Sequence, residues 1–342
     1  MTTTGPSPLT QLLEALPDPA LLFDEHQRLA ATNAAGRELF DLRDERYTPS
    51  QALGTAHLAD LVDEVAEGGR TVRMELALAG RDLEITAAKV GTDVVLLLRD
   101  QTARSRLDAV RRDFVANASH EMKTPVSGIQ TLADALLVTV DREDYERSRE
   151  LAGRLAEEAD RMGRLITELL SLRRLEEGGE RARSPVDLVA VVRDELGQIL
   201  QRAARHEIQV ACELPETAVV VGSEADLRLV VSNLLDNAVG YNRDGGRIAV
   251  VLRPADGAWQ LEVTDTGIGI PRQDLDRIFE RFYRVDVARS RAAGGTGLGL
   301  AIVRHAVEGH GGSVRATSVL AEGTTFTVHL PVQPPPATTR TN

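Results

Sequence analysis

Short apolar runs alternate with turn residues over the first hundred positions, in the pattern of a small α+β domain. An apolar helix that stops at Pro17 is followed by two short strands at Ala20–Phe23 and Leu29–Thr32. Asn33 is a suitable N-cap for the next helix, and a second helix is predicted near 57–67. Three extended runs come next, at 71–78, 82–90 and 94–99. We therefore expect an antiparallel sheet with helices packed on one side.

From about residue 103 the pattern changes to unbroken helix. Leu107, Val110 and Phe114 follow the heptad spacing of a helix that pairs with another helix. A short polar loop then leads into a second amphipathic helix that runs to about Leu175. Two helices joined by such a loop form an antiparallel hairpin. One hairpin exposes too broad an apolar stripe to stand alone, so we expect two copies to form a four-helix bundle, and hence a homodimer, through residues 101–178.

The remaining part of the chain, nearly half of its length, combines helical and extended patterns and predicts an α/β domain. Helices are expected at 188–204, 224–241 and 298–309. Strands are expected at 208–213, 218–221, 247–253, 259–265, 312–318 and 324–330. The chain is thus predicted to be a multidomain α+β protein. Its predicted divisions are a flexible start at 1–10, the first domain at 11–100, the helical domain at 101–178, the α/β domain at 184–332 and a disordered tail at 333–342.

The composition narrows the classes of function. The 52 Asp and Glu residues exceed the 40 Lys and Arg residues, which gives a formal net charge of −12. An acidic surface repels nucleic-acid phosphates and anionic lipid, so neither is expected as a partner. No apolar run approaches the roughly 20 residues of a membrane span. The single cysteine, Cys212, excludes an intrachain disulfide, and the start of the chain does not resemble a signal peptide, so we predict a cytoplasmic location.

The segment FVANASHEMKTP at 114–125 carries candidate nucleophilic chemistry. His120 lies one position off the heptad series, so its imidazole is expected to be accessible, and a neutral imidazole can attack phosphorus. Glu121 could take the proton from the other ring nitrogen. Thr124 follows one helical turn later on the same face, where its hydroxyl could orient water. Pro125 is expected to bend the helix just beyond them. A lone helical histidine would by default be merely solvated.

Five further sequence blocks follow in a fixed order. They are NLLDNA at 233–238, DTGIGI at 265–270, RIFERFYR at 277–284, GGTGLGLAIV at 294–303 and GTTF at 323–326. With the histidine segment, the set resembles the H, N, G1, F and G2 boxes and the last glycine box of two-component sensor histidine kinases. That resemblance implies a phosphotransfer (HisKA) hairpin and a GHKL, or Bergerat-type, α/β sandwich that binds ATP (HATPase_c). The element order at 11–100 separately resembles a PAS-like sensor domain. Residues 286–305 are most similar to the PhoR-type phosphate-sensing kinases of actinobacteria.

Under this resemblance the chain is an ATP-dependent protein histidine kinase. His120 would take the γ-phosphoryl group of ATP and pass it to an aspartate of a response regulator, expected to be of the OmpR/PhoB type. The Glu-x-x-Thr arrangement of Glu121 and Thr124 also implies phosphatase activity toward the phosphorylated regulator. A flexible tether at 176–184 would give the ATP domain the freedom that in-line transfer needs.

The blocks also make physical sense as an ATP site. Asn233 and Asn237 leave one face of a helix, and their amide oxygens suit a hydrated Mg²⁺ that bridges phosphates. Asp265 at a strand end could accept a hydrogen bond from the adenine amino group, as its family equivalent does. The glycine run opens a helix, whose N-terminal N–H groups attract phosphates, and residues 286–295 are expected to form a mobile lid. The resemblance implies further nucleotide contacts by Tyr241, Gly267, Gly269, Ile270, Arg284, Gly295, Thr296, Gly297, Leu298, Gly299, Leu300 and Thr325, with Arg284 directed to the γ-phosphate.

Departures from the family pattern leave alternatives open. Gly240 stands where the family usually has a lysine, which would weaken the hold on phosphate, and the membrane spans of most such sensors are absent from this sequence. The sequence would then be a soluble member or the cytoplasmic portion of a membrane-associated sensor. A GHKL-type ATPase is an alternative, but it would need a glutamate at the position of Asn233 to activate water. A degenerate nucleotide-binding scaffold is favoured only by Gly240. The first domain could equally be a ligand sensor or a spacer, since His26 and His57 are expected to be solvated.

Overall fold

The computed structural model describes residues 8–43, 47–78, 80–142, 144–176, 183–285 and 295–333. The chain forms two compact units, Met1–Asp113 and Phe114–Asn342, called here the N-terminal and C-terminal units. The predicted flexible start, tether, lid and tail lie wholly or mostly outside the described residues. Within the described residues, no helix is both long enough and apolar enough to cross a membrane.

The N-terminal unit is built on a five-stranded antiparallel sheet. Its helices are α1 (Pro8–Glu14), α2 (Ala34–Phe40), α3 (Pro49–Leu53) and α4 (Ala56–Gly68). Its strands are β1 (Ala20–Phe23), β2 (Leu29–Thr32), β3 (Val72–Leu78), β4 (Arg81–Val90) and β5 (Asp93–Asp100), in the order β2-β1-β5-β4-β3. The predicted strands are therefore confirmed within one or two residues. Helix α3 was not predicted, although a proline at its start and the bond from Thr48 N–H to Gln51 Oε1 (3.0 Å) are typical of a helix N-terminus.

Both faces of this sheet are covered, so the expectation of helices on one side is wrong. On one face Phe23 and Ile85 pack in a core with Val62 of α4. On the other face Leu22 packs in a smaller cluster with Leu13 of α1. The physical reason is that β1 is apolar at every position, and its second face must also be removed from water.

Asn33 ties the start of α2 to the first strand, and the predicted N-cap is confirmed. Its buried side-chain oxygen accepts hydrogen bonds from Gly36 N–H (2.9 Å) and Ala20 N–H (3.1 Å). Its amide nitrogen donates to the carbonyl oxygens of Leu16 (3.0 Å) and Asp18 (2.8 Å). One side chain thus satisfies polar backbone groups of three segments, which would otherwise be left without partners in a region closed to water.

We predict that Asn33→Ala destabilises the N-terminal unit by about 2–4 kcal/mol, because it removes a cap and leaves buried backbone groups unsatisfied. Trp259, the single tryptophan, belongs to the C-terminal unit, so its fluorescence reports that unit alone. In urea, circular dichroism should show an earlier transition for the variant, while the transition seen by Trp259 fluorescence stays in place. Glu38→Ala, an exposed change on the same helix, is the control and should move neither transition. Equal shifts in both signals would contradict the assignment.

Two long helices form a hairpin. Helix α5 spans Thr102–Asp141 without interruption at Pro125, and α6 spans Tyr145–Glu176. The Ser148 hydroxyl donates to Thr139 Oγ1 at 2.9 Å near the loop, and Gly128 lies against Glu158 further along. The two contacts keep nearly the same sum of residue numbers, as an antiparallel pair requires. The predicted hairpin is thus confirmed, while the side chains of Leu107 and Val110 lie outside the described part.

The rest of the C-terminal unit is an α/β sandwich. Its helices are α7 (Leu188–Arg205), α8 (Glu224–Gly240) and α9 (Gly299–Gly309), with a 3₁₀ turn at Arg272–Asp274. Its strands are β6 (Ser184–Asp187), β7 (Gln209–Glu213), β8 (Val219–Gly222), β9 (Arg247–Ala255), β10 (Ala258–Asp265), β11 (Ser313–Val319) and β12 (Gly323–Pro331). The main sheet has the order β11-β12-β10-β9-β7, with β7 parallel to β9 and the other pairs antiparallel. Strand β6, which pairs with β8, was not predicted.

One apolar core joins the sandwich to the second long helix. Leu234 of α8 and Ile302 of α9 are fully buried in it, together with residues of the sheet. Leu165, Leu172 and Leu175 of α6 lie in the same core. Leu165 and Leu172 belong to the apolar stripe that the sequence assigns to helix pairing. In the structure they face the sandwich instead. A heptad pattern shows which residues are apolar but not which surface covers them.

Candidate functional site

His120 lies exposed on α5, at the edge of a cleft of about 320 Å³. The helix side of the cleft is completed by Asn117 and Glu121. The opposite side is formed by the segment 277–283 of the sandwich, through Arg277, Glu280, Arg281, Phe282 and Tyr283. The structure therefore brings the first and the fourth of the sequence blocks together, and it leaves the imidazole of His120 accessible between them.

Glu121 and Thr124 differ in what they contact. The Glu121 carboxylate lies 3.8 Å from the Arg284 guanidinium, and the two side chains are only 21% and 5% exposed. The predicted nucleotide ligand Arg284 is thus placed against the residue predicted to assist His120. The exposed Thr124 hydroxyl donates to the His120 carbonyl oxygen at 3.4 Å. Both positions predicted beside His120 are therefore near it, with Glu121 turned toward the sandwich.

Asp265 ends β10 with a carboxylate that is 7% exposed. Burial raises the pKa of this carboxyl group above its ordinary value, while hydrogen bonds from the backbone N–H groups of Gly267 and Thr324 oppose the rise. The bond from Gly267 N–H is 2.8 Å long. Thr325 is the predicted nucleotide contact in this strand, and the sequence left open whether Thr324 and Thr325 contact the base or only cap the strand. The backbone N–H of Thr324 is bonded to Asp265, while the Thr325 hydroxyl pairs with that of Thr264 (2.9 Å) across the sheet.

The loop after Asp265 is fixed by close backbone approaches that only glycine permits. A Cβ on Gly267 would lie 2.2 Å from the Tyr241 carbonyl oxygen, and one on Gly269 would lie 2.2 Å from the Val319 carbonyl oxygen. Gly269 also has φ +68°, a conformation that disfavours side chains. Ile270 N–H donates to the Ser318 hydroxyl at 2.7 Å. The predicted residues Tyr241, Gly267, Gly269 and Ile270 are thus brought together around Asp265.

The amide residues of α8 lie beside the N-terminus of α9. Asn233 donates from its side-chain nitrogen to the Leu229 carbonyl oxygen (2.8 Å). Its side-chain oxygen lies so close to Gly299 that a Cβ there would be 2.5 Å away. Asn237 follows one turn later and is half-buried. Within the described residues, no cluster of three or more His, Cys, Asp or Glu side chains could hold a metal. The assignment of the two amide oxygens as Mg²⁺ ligands stays a prediction of the sequence.

Phe282 was missed as a separate functional residue. It has φ +62°, which is unusual for a bulky side chain, and its N–H donates to the Gly297 carbonyl oxygen at 2.8 Å. Gly297 has φ +77°, and a Cβ there would lie 2.8 Å from the Phe282 carbonyl carbon. The Phe282 ring is 5.9 Å from the ring of Phe114 on α5. Phe282 lies in the sequence block at 277–284, but no feature of that block indicates a pairing with the glycine loop.

Three ion pairs or hydrogen bonds between α6 and the sandwich were also missed. Thr296 of the glycine loop donates to Glu168, Arg281 pairs with Glu176 at 2.8 Å, and Arg174 pairs with Asp226 at 3.0 Å. Acidic and basic residues on the polar face of a helix predict only solvated positions, so no sequence signal indicates these contacts. Of the remaining predicted residues, Leu298 is fully buried, whereas Gly295 and Leu300 are half-buried.

His310 has a structural role. Its ring Nδ1 lies 2.7 Å from the Ala306 carbonyl oxygen, and its Nε2 accepts from Ser223 N–H at 3.0 Å. His305 is half-buried, and burial lowers the pKa of its imidazole. Neither imidazole is among the side chains that line the cleft beside His120.

Two protein families match the C-terminal unit. The family described as His Kinase A (phospho-acceptor) domain matches residues 110–178. The family described as histidine kinase-, DNA gyrase B-, and HSP90-like ATPase matches residues 222–334.

Curated relatives match over most of the chain. The sensor-like histidine kinase SenX3 of Mycolicibacterium smegmatis is 41% identical over 244 residues, which are 71% of this chain and 63% of that protein. SenX3 of Mycobacterium tuberculosis strain H37Rv is 36% identical over 328 residues, which are 94% of this chain and 79% of that protein. A crystal structure of histidine kinase ThkA in complex with response regulator protein TrrA covers 95% of this chain and 98% of its own, at 18% identity and a TM-score of 0.53. At that identity the likeness shows the fold alone.

We predict that Gly269→Ala weakens ATP binding about tenfold or more, since the new methyl group adds strain of about 1–2 kcal/mol and collides with backbone in the loop beside Asp265. Gly257→Ala is the matched control, because Gly257 has a similar φ of +76° but no atom within 4 Å of its Cβ position. Calorimetric titration with ATP and Mg²⁺ measures the two dissociation constants. The prediction fails if both variants bind ATP equally well.

Proposed function

Because the chain belongs to the sensor histidine kinases of two-component systems, we propose that His120 is the residue phosphorylated by ATP. The phosphoryl group would then pass to an aspartate of a response regulator. The observation that carries the proposal is the cleft in which exposed His120 faces the segment 277–283 of the sandwich. An accessible imidazole beside a nucleotide-binding module is what in-line phosphoryl transfer requires.

The ATP site that we propose surrounds Asp265. Its buried carboxylate would accept a hydrogen bond from the adenine amino group. The close backbone packing at Gly267 and Gly269 would hold the loop in place beside the base. The N–H groups at the start of α9 would face the phosphates, beside Asn233 and Asn237. Those two amide side chains would hold Mg²⁺, which supplies positive charge near the phosphates. Arg284 would meet the γ-phosphate once it leaves Glu121.

The chain's own groups would control the proton of His120. The imidazole must present one ring nitrogen without its proton, and Glu121, the next residue, supplies a carboxylate that can orient the ring once Arg284 has moved to phosphate. The site residues predicted from the sequence keep these roles in the proposal, including Gly295, Leu300 and Thr325 around the nucleotide.

We propose a homodimer through the hairpin of α5 and α6. Large apolar side chains remain exposed on both helices, among them Leu137 at 65% and Leu170 at 64%. A second hairpin would bury them in a four-helix bundle. The regulator would dock on the same bundle near His120, and we propose an OmpR/PhoB-type regulator and a PhoR-type subgroup for the kinase. Kinase chemistry of this kind places residues 101–332 in the cytoplasm, where ATP and regulators are found.

For the N-terminal unit we propose a PAS-like domain. The support is a five-stranded antiparallel sheet with the order β2-β1-β5-β4-β3 and with helices α2–α4 between its second and third strands. His57 is exposed at a helix start, and His26 is exposed at a turn, so neither favours a haem-binding role. Sensing and spacing are both compatible with that fold.

We predict that His120→Gln abolishes phosphorylation of the chain, because glutamine lacks the nucleophilic nitrogen. Incubation with ATP labelled in its γ-phosphate should give acid-labile label in the wild-type chain and none in the variant. His57→Gln, a change at an exposed histidine of the N-terminal unit, is the control and should keep the label. Label that persists in His120→Gln would falsify the assignment.

Phosphatase activity is proposed to depend on Thr124. We expect Thr124→Ala to keep autophosphorylation within about twofold but to slow dephosphorylation of the regulator roughly tenfold to a hundredfold, since the hydroxyl only positions water. Thr131→Ala is a matched control, because Thr131 is exposed on the same helix and its hydroxyl also donates four residues back, to Ser127 (2.9 Å). Both rates are measured with the purified regulator. Equal loss of the two activities at an unchanged melting temperature would contradict the role.

A further inference from the structure

One side chain links α6 to the glycine loop that precedes α9. The Thr296 hydroxyl donates a hydrogen bond to the Glu168 carboxylate. The same hydroxyl oxygen accepts a hydrogen bond from Leu298 N–H at 3.2 Å, directly before the first residue of α9. Glu168 is therefore connected through Thr296 to the helix end at which the proposed function places phosphates.

The charge of Glu168 matters at this place. Burial raises the pKa of its carboxyl group, and Asp236 acts in the same direction, while Thr296 and Arg164 oppose them. A helix N-terminus stabilises negative charge, whether it belongs to a carboxylate or to a phosphate. A carboxylate held there and a triphosphate would therefore repel each other and compete for the same electropositive end.

A second acidic residue of the hairpin contacts another proposed phosphate ligand. Glu121 of α5 lies 3.8 Å from the Arg284 guanidinium, and both side chains are mostly buried. The two contacts are far apart in sequence and use different helices of the hairpin. In both contacts, a carboxylate of the hairpin contacts a side chain, Thr296 or Arg284, that the proposed function directs to ATP.

We propose that Glu168 is a positioning residue that sets the affinity of this kinase for ATP. While its carboxylate holds Thr296, the glycine loop stays on α6, and ATP binding requires the contact to open. The inference rests on the proposed function for the location of the phosphates. Since coupling between two binding events is reciprocal, ATP loosens the hold of α6 on the loop by the same factor.

The test compares Glu168→Gln with Glu157→Gln in the full chain. Both changes remove one negative charge from α6, but Glu157 is exposed and lies eleven residues before Glu168, about 16 Å along the helix axis. Titration with Mg²⁺ and the non-hydrolysable analogue adenylyl imidodiphosphate measures the dissociation constant. We expect it to be at least about fivefold lower for Glu168→Gln than for the wild-type chain, and unchanged for Glu157→Gln. KM for ATP should fall by a similar factor while kcat stays within about twofold. If Glu168 had only a structural role, its replacement would instead raise the dissociation constant and KM.

A second measurement covers the case in which Glu168→Gln does not fold. In the wild-type chain, the analogue should speed hydrogen exchange of α6 around residues 164–172, because it releases their contact with the loop. Slower or unchanged exchange there would overturn the inference, as would an unchanged or higher dissociation constant in Glu168→Gln. If the wild-type chain binds the analogue but gains no label at His120 from γ-labelled ATP, the proposed function alone is overturned.

Discussion

The burial of three α6 leucines in the core of the sandwich is the contact on which the rest of the site depends. Leu165, Leu172 and Leu175 lie in the same apolar core as α8 and α9. Burial of a leucine side chain is worth roughly 1.5–3 kcal/mol, so the three together form a substantial docking contact. Because α6 pairs with α5, docking of α6 also sets the position of His120. The cleft beside His120 is a consequence of this packing.

The segment 277–284 connects the nucleotide side of the sandwich with the helix that carries His120. Phe282 N–H holds the glycine loop at Gly297, and its ring lies 5.9 Å from that of Phe114 on α5. The neighbouring Arg281 pairs with Glu176 and lies over the Phe114 ring at 5.7 Å. A displacement of the glycine loop would therefore change contacts on both helices of the hairpin. Side chains in direct contact therefore connect the glycine loop with the helix that carries His120.

Sequence patterns predicted the elements well but not their partners. All strands except β6, the cap at Asn33 and the hairpin follow from local rules, because alternation, heptads and capping are properties of neighbouring residues. Long-range choices escaped those rules: α1 covers the second face of its sheet, and the α6 leucines face the sandwich. The sequence blocks indicated the site residues around Asp265. Glu168 could not be found in this way, because a glutamate on a polar helix face has no local feature that reveals its partner.

The docking contact between α6 and the sandwich has an apolar part and a polar part, and the two contribute differently. Apolar burial is non-directional and does not depend on whether a nucleotide is present, so the leucines favour docking in every state. Partly exposed ion pairs such as Arg281–Glu176 add about 0–1 kcal/mol each, too little to hold two modules together alone. Under the proposal for Glu168, a triphosphate would compete for Thr296 and Arg284, whose contacts with the hairpin are polar. The leucines therefore supply the strength of the contact, and the proposal assigns its response to ATP to these polar contacts.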